Sequence, residues 1–353
     1  MSITRREFIK YSIITSAALF GLGCIGGSEK EKKENITPTP TETPSEWIPE
    51  KEIQLIIPYK AGGGTDIYAR IVAPYWEKYL PGDQPIVIIN KLGGGGVVGT
   101  TAIYQAKPDG YTIGLIIPLA MIINQLTKPE VQYDVLKMPV LGSPSAYTRV
   151  VCTNPKTVPD IENWDDLLER IYDLTFATYG FGGTAHLAPL LTGYESGLYD
   201  PRKLHFVHYS GTSGVIAAFE RKEADVYFGA VEAHTAYRNE VFNFILVFKN
   251  ERHEMCPDVP TTVEVGIPNA EKINNALTDI KAFVAPPETP AFITNTLASS
   301  LNKAMNDPLC IKEAKEKKRP ITPRNAKESV KLVNEMFKTW SKQDEIIELL
   351  KTG

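Results

Sequence analysis

Four glycine-rich segments carry the residues best suited to chemistry in this chain: Ala61-Gly62-Gly63-Gly64-Thr65, Gly93-Gly94-Gly95-Gly96, Gly180-Phe181-Gly182-Gly183-Thr184 and Ser210-Gly211-Thr212-Ser213-Gly214. Each stands between an apolar run and a stretch with helical spacing. The first turn of a helix exposes backbone N–H groups without partners and the positive end of the helix dipole, and glycine lets an anion approach them. One such segment alone reads equally well as a tight turn needing positive φ. Four in one chain point to an anion site.

Catalytic patterns are weak by comparison. There is no GxSxG elbow. His205 and His208 lie three apart on a predicted strand and so face opposite ways, His186 at a helix start reads as structural, and His234 and His253 have no cysteine or carboxylate at metal-ligand spacing. Gly94-Gly95-Gly96-Val97-Val98-Gly99 fits GxGxxG, but the next predicted strand ends at Ile116-Ile117-Pro118 without the acidic residue that a dinucleotide ribose needs. Gly62-Gly63-Gly64-Thr65 lacks the Gly-Lys-Ser/Thr ending of a phosphate loop. An exported nucleotide-dependent oxidoreductase is therefore the lesser alternative to a binding protein, and no cofactor, metal or catalytic residue is expected.

The elements that must position these loops alternate in the manner of α/β units on largely parallel sheets. Strands are predicted at 53–58, 86–89, 112–116, 174–178, 204–208, 224–228, 244–248 and 280–285. Helices are predicted at 65–80, 97–106, 164–172, 185–197, 215–222, 290–305 and, as one long element, 326–350. In that last helix Val330, Val333, Phe337 and Trp340 keep one face apolar. No internal repeat stands out.

The 353 residues suffice for two domains of ordinary size, and the body is acidic. The formal charge of −4 becomes −6 without the first 23 residues, which hold Arg5, Arg6 and Lys10 against Glu7. Nucleic-acid binding, which needs a basic footprint, is not indicated. The N-terminus reads as an address: Arg5-Arg6-Glu7-Phe8-Ile9-Lys10 and the apolar run behind it resemble a twin-arginine export signal (residues 1–23), and the run is short for a permanent membrane span. Cys24 follows Gly21-Leu22-Gly23 and resembles a lipoprotein cleavage site, although Gly21 stands where a large aliphatic residue is usual. Residues 24–50, charged and then rich in Thr and Pro, form an extended spacer. Cys152, Cys256 and Cys310 define no disulfide framework, though one pair is free to bridge outside the cell.

From Ile53 to Trp340 the chain resembles the solute-binding receptors of tripartite tricarboxylate transporters. The series that carries the resemblance begins with Pro58-Tyr59-Lys60-Ala61-Gly62-Gly63-Gly64-Thr65-Asp66, Ile88-Ile89-Asn90-Lys91-Leu92-Gly93-Gly94-Gly95-Gly96 and Lys107-Pro108-Asp109-Gly110-Tyr111-Thr112. It continues with Tyr209-Ser210-Gly211, Glu223-Ala224-Asp225-Val226, Pro257-Asp258-Val259-Pro260-Thr261-Thr262 and Ala285-Pro286-Pro287-Glu288. The resemblance implies a two-lobed, periplasmic-binding-protein-like α/β fold with the ligand cleft between lobes, lobe 1 at 51–147 and 251–353 and lobe 2 at 148–250. It implies a monomer with no catalytic residues, serving a transporter of one large and one small membrane subunit. By its motifs, the ligand sites are Tyr59, Ala61, Gly62, Gly63, Thr65 and Asp66 in the first lobe, and Gly182, Gly183, Thr184, Gly211 and Thr212 in the second. Tyr179 and Phe181 stand where the family more often has small polar residues, and Glu232 stands where it often has an acidic or small one; facing the cleft, Tyr59 and the two aromatic rings would suit a ligand with an apolar part, and packing under the loops is the other reading. Asp66 and Glu232 either select an amino group on the ligand or bind it through water, or else, respectively, complement a helix N-terminus and sit in solvent. A sensor that presents its closed form to a receptor kinase is an alternative to uptake.

Overall fold

The computed structural model describes residues 47–352 apart from Ser210 and Lys318. The export signal, Cys24 and nearly all of the spacer lie outside them.

Two sheets organise the body. The first has the order β11-β4-β10-β3-β1-β2, from β1 (Ile53–Ile57), β2 (Ile86–Asn90), β3 (Thr112–Ile116), β4 (Val140–Tyr147), β10 (Asp279–Val284) and β11 (Arg324–Asn325). The second has the order β7-β6-β8-β5-β9, from β5 (Arg149–Thr153), β6 (Thr175–Thr178), β7 (His205–His208), β8 (Val226–Ala230) and β9 (Asn243–Val247). β1 pairs parallel with β2 and β3, and β6 parallel with β7 and β8, the chain passing through a helix between successive strands of each set. The inner strands β1, β3, β6 and β8 are buried over nearly their whole length, as strands covered on both faces are, while the edge strand β7 is largely exposed.

The helices are α1 (Gly64–Tyr79), α2 (Val97–Tyr104), α3 (Pro118–Thr127), α4 (Trp164–Arg170), α5 (Thr184–Ser196), α6 (Gly211–Glu220), the short α7 (Val231–His234), α8 (Ala270–Leu277), α9 (Ala291–Met305), α10 (Pro308–Glu316), α11 (Ala326–Trp340) and α12 (Asp344–Thr352). α1 packs on the first sheet through Tyr68, Ile71, Val72 and Trp76, with the Trp76 indole donating to Ser300 Oγ on α9 at 2.9 Å. Val215 and Phe219 of α6 fill the second sheet's core beside Tyr227 and Phe242.

The chain passes from one sheet to the other between Tyr147 and Arg149, with Thr148 alone in between. The sequence did not mark β4, because Gly142 and Pro144 read as strand breakers. The structure absorbs them with a break in register between β4 and β10 near Phe283.

The long final helix is two helices. Continuing the apolar stripe beyond Trp340 would bury positions 343 and 344, which are Gln343 and Asp344. The chain turns instead at Ser341, and α12 brings Ile346 and Ile347 into the core. Val330 lies at the exposed rim of the α11 stripe, which centres on Val333, Met336 and Trp340. Cys152, Cys256 and Cys310 are free, buried thiols, and no pair is bridged.

Candidate functional site

The loops that enter α1 and α5 have the same conformation. Gly62 and Gly182 take φ of +74° and +68°, and the residues after them, Gly63 and Gly183, are the helix N-caps with φ, ψ of −72°, 163° and −71°, 162°. In both, the N-cap N–H closes the turn on the carbonyl three residues back, Gly63 to Lys60 at 3.1 Å and Gly183 to Gly180 at 3.2 Å. Only glycine holds the left-handed position without strain. Neither N-cap supplies a side chain to cap the helix, so the first N–H groups of each rely on a partner from outside the helix.

Each loop is pinned from below four residues on. Gly62 N–H donates to Asp66 Oδ2 at 2.8 Å, and Gly182 N–H to His186 Nδ1 at 3.1 Å. Asp66 is 1% exposed. It also receives Arg70 Nε and Nη2 (2.8 and 3.1 Å) and Asn90 Nδ2 (2.9 Å), while Asn90 donates to the Tyr59 carbonyl. Burial by itself would raise the Asp66 carboxyl; these donors outweigh it and hold it below the ordinary value. Asp66 is thus spent on the loop. Burial, with help from His208, pushes His186 down to about 4, so its ring is neutral and accepts the Gly182 N–H.

Two tyrosines, each three residues before the left-handed glycine, lead from the loops to one buried ion pair. Arg149 Nη2 donates to Asp279 Oδ2 at 2.7 Å, joining β5 of one sheet to β10 of the other. Tyr179 receives Arg149 Nη1 at 3.3 Å, and its hydroxyl also meets Thr184 Oγ1. Tyr59 lies within electrostatic reach of Asp279, and burial pushes its phenol well above the ordinary value. Tyr227, edge-on to Tyr179, also feels the Arg149 charge and lies beside Thr212 of the fourth glycine segment.

The first, third and fourth glycine segments therefore reach one polar floor. Ala61, Gly62, Gly211 and Thr212 are exposed, Gly63, Gly182 and Gly183 half-buried, and Thr65 and Thr184 buried. Tyr59 and Tyr179 pack under their loops, whereas Phe181 stands out at 43% exposure against the rings of His186 and His208. The Gly93 to Gly96 segment abuts the ring of Tyr59 through Gly96.

Glu232 lies elsewhere. Its side chain, 8% exposed and not solvated, accepts the Thr148 N–H with both oxygens (3.1 and 3.0 Å) and meets His253 Nε2 at 3.2 Å, at the crossing between sheets. Sequence reasoning missed Arg149, Asp279 and Lys281, which carry no motif. The equivalence of the loops did have a signal, Tyr-x-x-Gly-Gly at 59–63 and again at 179–183.

Among the described residues no group of His, Cys, Asp and Glu is arranged to hold a metal, and no helix is long and apolar enough to cross a membrane. Two α/β lobes whose glycine loops meet at a shared polar floor define a two-lobed binding protein. The family model described as tripartite tricarboxylate transporter family receptor matches residues 68–351, and the chain belongs to that family. It is 28% identical over 269 residues to a UPF0065 protein of Bordetella pertussis, covering 75% of this chain and 79% of that one. In fold it is similar to MatC from Rhodopseudomonas palustris with bound malate (TM-score 0.67, 21% identity, 85% of this chain and 100% of that one). An R. palustris protein solved with adipate is alike to the same degree (TM-score 0.67, 19% identity, 85% and 98%).

Proposed function

We propose that this chain is the exported receptor of a tripartite transporter, binding an organic carboxylate between its lobes and presenting the closed form to one large and one small membrane subunit. It acts as a monomer and not as an enzyme. Lobe 1 comprises 51–147 and 251–353, and lobe 2 comprises 148–250. The observation that carries the reading is the pair of equivalent loops, each ending in an uncapped helix N-terminus: two sites for carboxylate oxygens built from Gly62, Gly63, Thr65, Gly182, Gly183 and Thr184. Gly211 and Thr212 complete the contacts from the second lobe, and Tyr59, Ala61 and Tyr179 line the way in. Asp66 and Glu232 act by holding the loop and the hinge. The malate and adipate named for similar proteins are carboxylates of this kind. Export by the twin-arginine route and lipidation at Cys24 would tether the body to the outer face of the cytoplasmic membrane, with 24–50 as spacer.

The test is thermal unfolding of the purified body from Glu46, alone and with di- and tricarboxylates, aromatic acids, amino acids and NAD. A ligand at 100 times its dissociation constant adds about 2.7 kcal/mol of stability. A shift with carboxylates is expected; a shift with NAD alone would overturn the reading.

A further inference from the structure

In the antiparallel register of β10 and β4, Asp279 stands opposite Tyr147 and Lys281 opposite Ser145, so the four side chains share one face. Ala282 pairs with Ile116, the last residue of β3, which puts Lys281 just past the end of the sheet where the Tyr59 loop leaves β1. Crevices at this edge, beyond the carboxyl ends of parallel strands, are where open α/β sheets bind ligands.

Lys281 is 2% exposed. Its Nζ lies 3.7 Å from the centre of the Tyr147 ring and 5.2 Å from that of Tyr68, and it makes no hydrogen bond or ion pair among the described residues. Ser145 Oγ, opposite Lys281 in the sheet, and Arg149 Nε and Asp279 Oδ1, whose charges act on it, are buried and have no hydrogen-bond partner among the described residues. Buried polar atoms are paired almost without exception, so this many orphans in one place call for an occupant that pairs them. The charge count says which kind. Two cations, Arg149 and Lys281, face the single carboxylate of Asp279; Glu232 and Arg319 also act on Lys281, in opposite directions. Burial lowers Lys281 to about 8, with Asp279 offsetting part of the effect, which leaves it mostly protonated at neutral pH.

We propose that Lys281, with Ser145 and Arg149, holds a second anionic group on the ligand, so that the receptor selects dicarboxylates over monocarboxylates whose single carboxylate sits on the glycine loops. This rests on the carboxylate reading above. The two tyrosine rings fix the ammonium without neutralising it, as a nearby carboxylate would.

Calorimetric titration of the full chain in detergent tests it, using four- to six-carbon dicarboxylates, with and without a 2-hydroxyl, against monocarboxylates of equal length. The wild type should prefer the diacid by about thirtyfold or more. Lys281→Met should bring diacid affinity down to that of the monoacid and leave the monoacid unchanged. Ser145→Ala, a milder change that keeps the fold if Lys281→Met does not, should weaken the diacid alone. Equal affinity for both acids in the wild type, or an equal loss of both in either variant, overturns the proposal while the carboxylate reading stands. Failure of the wild type to bind any carboxylate removes both.

Discussion

Asp66 and His186 hold equivalent posts in the two lobes: each accepts the N–H of the left-handed glycine four residues before it, Gly62 at 2.8 Å and Gly182 at 3.1 Å. The same turn is thus tied down by a carboxylate on one side and an imidazole on the other. A carboxylate with four donors stays ionised, whereas an imidazole accepts only while it is neutral. The lobes should therefore respond differently to acid.

His186 is pushed down to about 4 in the folded protein, against about 6.5 in an unfolded chain. The unfolded chain takes up a proton first, so stability is full above pH 6.5 and is lost as pH falls towards 4. The loss is roughly 3 kcal/mol for this residue. His234, which burial also lowers to about 4, titrates in the same window. His208, which burial also lowers, adds to the same slope. Denaturant unfolding between pH 4 and 7 should show the slope, and His186→Gln should reduce it; an unchanged slope would exclude His186 as a contributor.

Gly63→Val is expected to weaken carboxylate binding at least tenfold. A Cβ at Gly63 would lie 3.0 Å from the Lys60 carbonyl, forcing the turn to shift, and the branched side chain would stand over the N–H groups of α1. The same change at Gly183, where a Cβ would lie 3.2 Å from the Gly180 carbonyl, should act alike on the second lobe. Titration with carboxylate while the unfolding temperature is monitored separates loss of binding from loss of fold; unchanged affinity at Gly63 would remove that loop from the site.

Much of this was legible beforehand because the loops speak through residue type. Glycine at 62 and 182 is dictated by left-handed backbone angles, and the mostly apolar runs of β1 and β3 announce covered strands. The polar floor was silent. Arg149, Asp279 and Lys281 sit on strands that meet only when the chain crosses between sheets at Thr148, and no local pattern encodes a contact over 130 residues of separation. β4 was hidden by Gly142 and Pro144, and the split of the last helix by an apolar stripe that Gln343 and Asp344 interrupt for only two positions.

Lipidation has a direct readout. Cys24→Ala should release the protein from the membrane fraction, because the tether proposed for this chain is the acyl group on Cys24. Fractionation of cells expressing each form checks this; retention of the alanine variant would contradict a lipid anchor at Cys24.

The Arg149–Asp279 pair should be worth more intact than its net energy suggests. Arg149 is 2% exposed and the Asp279 side chain 11%. Two charges taken out of water recover little more than their desolvation, but removing one strands the other. Arg149→Met or Asp279→Leu alone should therefore destabilise the fold by about 3–5 kcal/mol. The double variant should recover most of that, because it buries neither charge. Denaturant unfolding of the four proteins gives the coupling energy, and additive losses would show that the two side chains act independently. Since the pair ties β5 to β10 and touches Tyr179, the stable double variant should also lose its carboxylate affinity, separating what the pair does for the fold from what it does for the ligand.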